Sequence, residues 1–325
     1  MIPTTLPDFE QLHRLRGGAV VATAPATLFR ITGPGALTCL QGLWTNDLLE
    51  PGNGSITYGA LLTPKGMIVT DGWSLRSGDA VMLLLPPAAR EPVSQILHRS
   101  LPPRLATASD VSETTRVLLL LGDGAGDRWP VVPLGRLPDA GLVSRGETAE
   151  GEFLLATPTT GPFTAALLGA PRTLDSVGKL LKAARMSPGG EDDREAARIL
   201  AGWPAMGAEI DERTLPQEVR FDEHSGLSYT KGCYTGQETV ARLHFRGHAN
   251  RVLRGLRWKA APVAGDTVMA GQKQVGRVSS LLTLPDRVIG LAVLRRDLQP
   301  GNRVTASGAP AVVTELPFGP ADIEG

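Results

Sequence analysis

The sequence predicts an α+β protein in three parts: two mixed α+β subdomains and a terminal β-barrel. Three observations carry that prediction. Apolar runs of strand length alternate with helical patterns through the first two thirds of the chain, and two segments, TLDSVGKLLKAARM and EDDREAARILAG, have clear helical periodicity. From about Val252 onward that periodicity fades, and short β-rich runs alternate with Gly, Pro, Asn and Asp turns.

In chain order, LFRITGPGALTCLQGLWTND reads as a strand entering a helix. Pro34 stands at a favourable first-turn position, and Leu37, Leu40 and Trp44 follow at helical spacing. GALLTPKGMIVTDGWSL and DAVMLLLP read as strands around a ProLysGly turn and a SerGlyAsp turn. AAREPVSQILHRSL is then helical until Pro102 and Pro103 stop it. A second unit follows: RVLLLL is a buried strand, the Gly/Pro-rich stretch from Gly122 to Gly146 is loop, and TLDSVGKLLKAARM is an amphipathic helix. EDDREAARILAG has acids on its first turn and Gly202 after its end, as the helix dipole and C-terminal capping favour. VLRGLRW, DTVMA, QVGRVSSLL, VIGLAVLRR and AVVTELPF supply the barrel strands, and PFGPADIEG reads as a short tail. The expected boundaries are 1–115 with 187–250 for the main body, 116–186 for the second subdomain and 251–325 for the barrel.

Composition narrows the function. With 325 residues and 42% hydrophobic content the chain can bury sizeable cores. Its 33 basic and 33 acidic side chains cancel, which argues against a protein that neutralises many phosphates over its whole surface, so no direct nucleic-acid contact is expected. The start, MIPTTLPDFEQLHRL, is acidic and polar where a secretory signal has a basic flank and an apolar run; with no span-length apolar stretch, the expectation is a cytoplasmic protein off the membrane. Two cysteines, Cys39 and Cys233, cannot make a disulfide framework or a four-cysteine metal site. LGDGAGDRW lacks the rest of a dinucleotide fingerprint and reads as a turn.

The most informative stretch is KGCYTGQE, Lys231 to Glu238. Gly232 and Gly236 permit a tight path that puts Cys233 and Tyr234 at a turn. Lys231 can set positive charge near the thiol and favour the reactive thiolate. Gln237 and Glu238 can brace the loop or bond a polar ligand. The other reading, equally open from the residues, is a buried cysteine in a glycine turn.

KGCYTGQE resembles the signature of the YgfZ family, folate-binding proteins related to the glycine-cleavage T-protein, an aminomethyltransferase. FRITGPGALTCLQGLWTND, TPKG, GAEIDERTLPQE and VGRVSSLLTLPDRVIGLAVL extend the resemblance over nearly the whole chain. It implies a GcvT-like body of two interleaved α+β subdomains around a folate cavity, closed by a β-barrel. It further implies a tetrahydrofolate or other folate ligand, a role in maintaining iron–sulfur client proteins such as radical-type tRNA methylthiotransferases, and dependence on Cys233. Ligand contacts are expected from Trp44, Asn46, Trp203, Tyr234, Gln237, Glu238 and Arg246, although aromatic residues at such places also build cores and Asn46 and Asp47 also cap turns.

The chain departs from the T-protein pattern at two places. T-proteins carry paired aspartates after the glycine turn, where this chain reads Val69 and Thr70 with Asp71 displaced, and a displaced carboxylate would point elsewhere; the plain alternative is a strand-end turn residue. T-proteins also carry a pterin-bonding glutamate in a segment reading RLEAG, where this chain has RILAG with Leu200. The expectation is therefore an accessory protein rather than an enzyme, with one-carbon transfer through Asp71 as the alternative. Between Thr239 and Gly265 there is no acid but six Arg and Lys, a stretch that could grip a glutamate tail or an acidic partner, or be a solvated strand face.

Overall fold

The computed structural model describes residues 15–259, 262, 265–306 and 308–323. The reading of the N-terminal segment falls almost entirely on residues 1–14, outside the described residues. Sheet strands in the body are β1 (Val20–Ala24), β2 (Thr27–Thr32), β3 (Ile56–Leu62), β4 (Ile68–Ser77), β5 (Ala80–Leu85), β6 (Thr107–Asp110), β7 (Arg116–Leu121), β8 (Leu142–Thr148), β9 (Gly151–Thr157), β10 (Ala165–Gly169) and β11 (Ser187–Gly189). They form a five-stranded sheet in the order β3-β4-β5-β2-β6 and a six-stranded sheet in the order β11-β1-β7-β10-β9-β8. β1 and β11 lie in the sheet of residues 116–186, so the two subdomains interleave more deeply than chain order suggests.

The helices take their places from their apolar stripes. Pro171–Ala183 begins on a proline and buries Leu174, Val177 and Leu181 on one side. Arg90–Ser100 buries Val93 and Leu97, one turn apart. Glu191–Leu200 starts with three acids, and Asp193 accepts the Gly190 N–H at 2.9 Å. The first helix is shorter than its periodicity predicts: it covers Ala36–Gln41, leaving Pro34 before it and Trp44 beyond it in a bridge to Leu61. β8 occupies part of the stretch expected as loop, because its residues pair with β9 across the turn at Gly151.

One core is shared by everything. It takes Leu28, Tyr58 and Trp73 from the first sheet, Ala22, Val117 and Ala166 from the second, Ile199 from the helix Glu191–Leu200, and Leu253 and Ile289 from the barrel. A second core lies between the five-stranded sheet and the helices Ala36–Gln41 and Arg90–Ser100, a third between the six-stranded sheet and Pro171–Ala183. The chain therefore stacks helix, sheet, sheet and helix around a common centre.

The barrel strands are β12 (Arg251–Trp258), β13 (Thr267–Ala270), β14 (Lys273–Thr283), β15 (Val288–Arg295), β16 (Arg303–Ala306) and β17 (Ala309–Thr314). They close in the order β12-β15-β14-β13-β16-β17, so no edge is left open. Glu209 joins the barrel to the body: its buried carboxylate accepts from Ser279 and Ser280 of β14, both at 2.6 Å, and from Arg198 at 3.0 Å. Residues 318–323 are no loose tail. Phe318 and Ile323 are buried in the shared core, and the Phe318 N–H donates to the Leu200 carbonyl at 3.1 Å.

Candidate functional site

Cys233 is exposed, on a loop whose two flanks are pinned to the body. On one side the buried ammonium of Lys231 donates to the carbonyls of Trp44 at 2.6 Å and Asn46 at 2.8 Å, and lies 5.0 Å from the centre of the Tyr234 ring. On the other, the Tyr234 N–H donates to Gln237 Oε1 at 3.1 Å and the Thr235 N–H to the Gly42 carbonyl at 3.1 Å. Gly236, at φ +82°, then opens the helix Gln237–Arg246. A Cβ there would stand 2.6 Å from the Thr63 carbonyl oxygen, so the Cys233 loop can rest on the Thr63–Gly66 turn only through a glycine. Burial is the main cause that draws Lys231 down to about 8, with Asp47 pulling the other way. The ammonium of Lys231 thereby holds the connector of residues 44–46.

The second feature fills the shared core. Tyr58 is ringed by Trp73, Trp203 and Phe221 at 4.7–5.0 Å, and His224 stacks on Trp203 at 3.8 Å. Asp71 enters this cluster from β4, where strand alternation gives it the same face as Trp73 and Leu75. It is buried, and the Tyr58 hydroxyl donates to its Oδ2 at 2.9 Å. The reading of Asp71 as a strand-end turn residue is thus corrected: it lies within a ten-residue strand and points into the centre. Burial raises its carboxyl to about 6 although the Tyr58 bond opposes this. Burial, then the nearby Arg220 charge, lowers His224 to about 3, so its ring is neutral.

The remaining expected residues divide by place. Trp44 is fully buried in the second core, its indole packed on Gly59, so it contributes its carbonyl rather than its ring. Asn46 uses its amide on the carbonyls of Tyr58 at 2.8 Å and Ser225 at 2.6 Å. Trp203 belongs to the aromatic cluster, and Tyr234 is buried in the same core. Glu238 and Arg246 are exposed at the two ends of the helix Gln237–Arg246. Tyr58, Trp73, Phe221 and His224 were not anticipated; the signal that could have found Trp73 was its two-residue spacing from Asp71 on a strand.

Among the described residues, the buried polar atoms without a partner include Asp71 Oδ1, His224 Nε2 and the Tyr234 hydroxyl. Buried polar atoms normally find one. A pterin, a flat ring edged with donors and acceptors, offers what they lack, while the ring faces of Trp203 are taken by Trp73 and His224 and Tyr58 is packed among its neighbours. The polar groups present therefore match the edge of such a ligand. Leu200, half-buried against the same core, supplies no carboxylate. Among the described residues no group of three or more His, Cys, Asp or Glu is placed to hold a metal, and no helix is long and apolar enough to cross a membrane.

Known proteins resemble the chain in three ways. The family described as the GCVT N-terminal domain matches residues 16–127. A 118-residue segment is 36% identical to the tRNA-modifying protein YgfZ of Vibrio vulnificus, covering 34% of this chain and 36% of that one. The YgfZ protein of Yersinia pestis is 38% identical over 110 residues, 32% of this chain and 33% of its own. The matched segment thus spans about a third of the length of these YgfZ proteins. An aminomethyltransferase of Rubrobacter xylanophilus is 28% identical over 299 residues, 88% of this chain and 79% of that protein. The solved aminomethyltransferase T of the glycine cleavage system from Bartonella henselae superposes with a TM-score of 0.81 over 98% of this chain and 91% of its own, at 17% identity. The chain therefore has the fold of aminomethyltransferase T, and its residues 16–127 match the GCVT N-terminal domain.

Proposed function

We propose that this protein binds a tetrahydrofolate in its shared core and acts through the Cys233 thiol, as an accessory to iron–sulfur client proteins that include tRNA-methylthiolating enzymes. The observation that carries the reading is the exposure of Cys233 on a loop anchored at both flanks. Exposure lets the sulfur meet another macromolecule, and the anchors hold it in one place, as a functional thiol on a rigid scaffold requires. The partial likeness to YgfZ proteins named as tRNA-modifying supports the client class. Bound folate would supply one-carbon chemistry; the chain's own residues would supply a hydrogen-bonding edge from Asp71, His224 and Tyr234. Cys233→Ser is expected to keep tetrahydrofolate affinity while losing rescue of tRNA methylthiolation in a strain lacking the gene. Undiminished rescue would take the thiol out of the mechanism.

A second reading, one-carbon transfer of the aminomethyltransferase type, is favoured by Asp71, a buried carboxyl raised to about 6 and held by Tyr58. Such a group is suited to exchanging a proton near neutral pH. Against it stands Leu200. The measurement is transfer of a formaldehyde equivalent from a small amine donor to tetrahydrofolate: turnover lost in Asp71→Asn supports transfer, and no turnover in wild type removes this reading.

A further inference from the structure

The two sheets of the body part at one end of the shared core and leave a cleft of about 240 Å³ between them. Among the described residues, none from the barrel or the Cys233 loop lines it, so it lies apart from the site described above. On the first sheet Leu75, Met82 and Arg30 pair across β4, β5 and β2 into one row. On the second, Leu168, Leu154 and Arg145 pair across β10, β9 and β8 into another. Leu75 and Leu168 belong to the shared core, which sets both rows on the faces that meet. Arg30 shares that face because strand alternation places it with Leu28, two residues earlier and fully buried.

Met82 and Leu154, at the middle of the two rows, are only half-buried. Apolar surface is thus left open where the side chains of two packed sheets would otherwise interdigitate. The two arginines differ in their surroundings. Arg145 pairs with Glu152 at 3.2 Å, and Glu152 is the one acid among the described residues lining the cleft. Arg30 is exposed, its cross-strand neighbours Met82 and Ser109 carry no charge, and among the described residues its side chain makes no ion pair or hydrogen bond. An arginine at a core-facing position covers apolar surface with its stem and keeps its guanidinium at the mouth. There the planar fork matches a carboxylate.

We infer that this cleft binds a small aliphatic monocarboxylate, with its carboxylate on Arg30 and its chain between Met82 and Leu154. One unmatched cation takes one negative charge, and Glu152 on the other wall disfavours a second. At the roughly 30 Å³ that a water molecule occupies in the liquid, the cleft has room for about eight non-hydrogen atoms, the size of hexanoate. A ligand held in this way touches both sheets and so ties the two subdomains together.

The test titrates the full-length protein with hexanoate, hexanol and acetate, by calorimetry and by NMR. Hexanoate is expected to bind wild type with a dissociation constant on the order of 1 mM, as a ligand of that size with one strong anchor allows. Hexanol lacks the charge and acetate lacks the chain, so each is expected to bind at least about 10-fold more weakly. Arg30→Gln, at an exposed side chain, is expected to bring hexanoate down to the level of hexanol and to leave hexanol unchanged. Intermolecular NOEs are expected between the hexanoate chain and the Met82 methyl group. Hexanoate bound no more tightly than hexanol, affinity unchanged in Arg30→Gln, or NOEs that place the chain elsewhere would each overturn the proposal. So would the absence of hexanoate binding at roughly ten times the expected constant.

Discussion

The ammonium of Lys231 and the carbonyl of Trp44 meet at 2.6 Å in the interior, two residues before an exposed thiol. This bond ties the Cys233 loop to the connector that leads into β3. Replacing Lys231 with Met leaves the Trp44 and Asn46 carbonyls without their donor, at a cost of roughly 2 kcal/mol. The sign of its pH dependence follows from burial. Folded Lys231 titrates at about 8, below its ordinary 10.5, so between those values the unfolded chain holds the proton and the folded chain does not. Stability from this group therefore rises as pH climbs through that window. Urea midpoints of wild type minus Lys231→Met should increase from pH 8 to pH 10, and a flat difference would show that the amine is not buried as described.

Asp71 gives the opposite slope. Its folded carboxyl lies at about 6 against an ordinary 3.8, so the folded chain holds the proton more tightly and stability falls as pH rises across that interval. Asp71→Asn removes the buried charge while keeping an acceptor for Tyr58. It should raise stability at pH 7 by on the order of 1–2 kcal/mol and leave it nearly unchanged at pH 3.5. Thermal melts at the two pH values check this; loss of stability at pH 7 would mean the carboxylate is better solvated than its surroundings indicate.

The contrast between these two residues shows what the chain could reveal in advance. The barrel was legible because its strands alternate and its turns carry Gly, Pro, Asn and Asp, which are local signals. The Cys233 loop was legible because chemistry and glycine spacing coincide in eight residues. Asp71 was not: aspartate favours turns by itself, and only packing against Tyr58 and Trp73 places it inside a strand. The aromatic cluster was equally hidden, since Tyr58, Trp73, Trp203, Phe221 and His224 come from separate segments that no periodicity connects. Nor could short β1 announce its pairing with β11, a contact between distant parts of the chain.

Of the two glycines around the sulfur, only one is sterically required. At Gly236 an added Cβ meets the Thr63 carbonyl oxygen at 2.6 Å with φ at +82°; at Gly232 it meets nothing within 4 Å. Gly236→Ala should cost about 2 kcal/mol or more and speed alkylation of Cys233 as the loop lifts from the Thr63–Gly66 turn. Gly232→Ala should change stability by no more than about 0.5 kcal/mol. Chemical unfolding together with iodoacetamide kinetics reads both effects, and equal effects of the two substitutions would contradict the docking geometry.

Glu209 links the barrel to the body, and removing its charge tests how firmly. Its carboxylate takes the hydroxyls of Ser279 and Ser280, the Arg198 guanidinium and the Ala205 N–H, all in the interior. Glu209→Gln preserves size but turns one acceptor into a donor facing donors, and leaves Arg198 with Glu195 as its remaining carboxylate partner. Breaking one side of a buried pair typically costs about 3–5 kcal/mol. Here the loss falls on the interface between the helix Glu191–Leu200 and β14, so the barrel should loosen from the body before either part unfolds. Limited proteolysis is expected to cut the variant first in the segment between Gly247 and Arg251, where the body passes into β12, at protease levels that leave wild type intact. If the variant instead unfolds in a single transition with wild-type proteolytic resistance below it, the barrel is held by its apolar contacts with the shared core and not by this carboxylate.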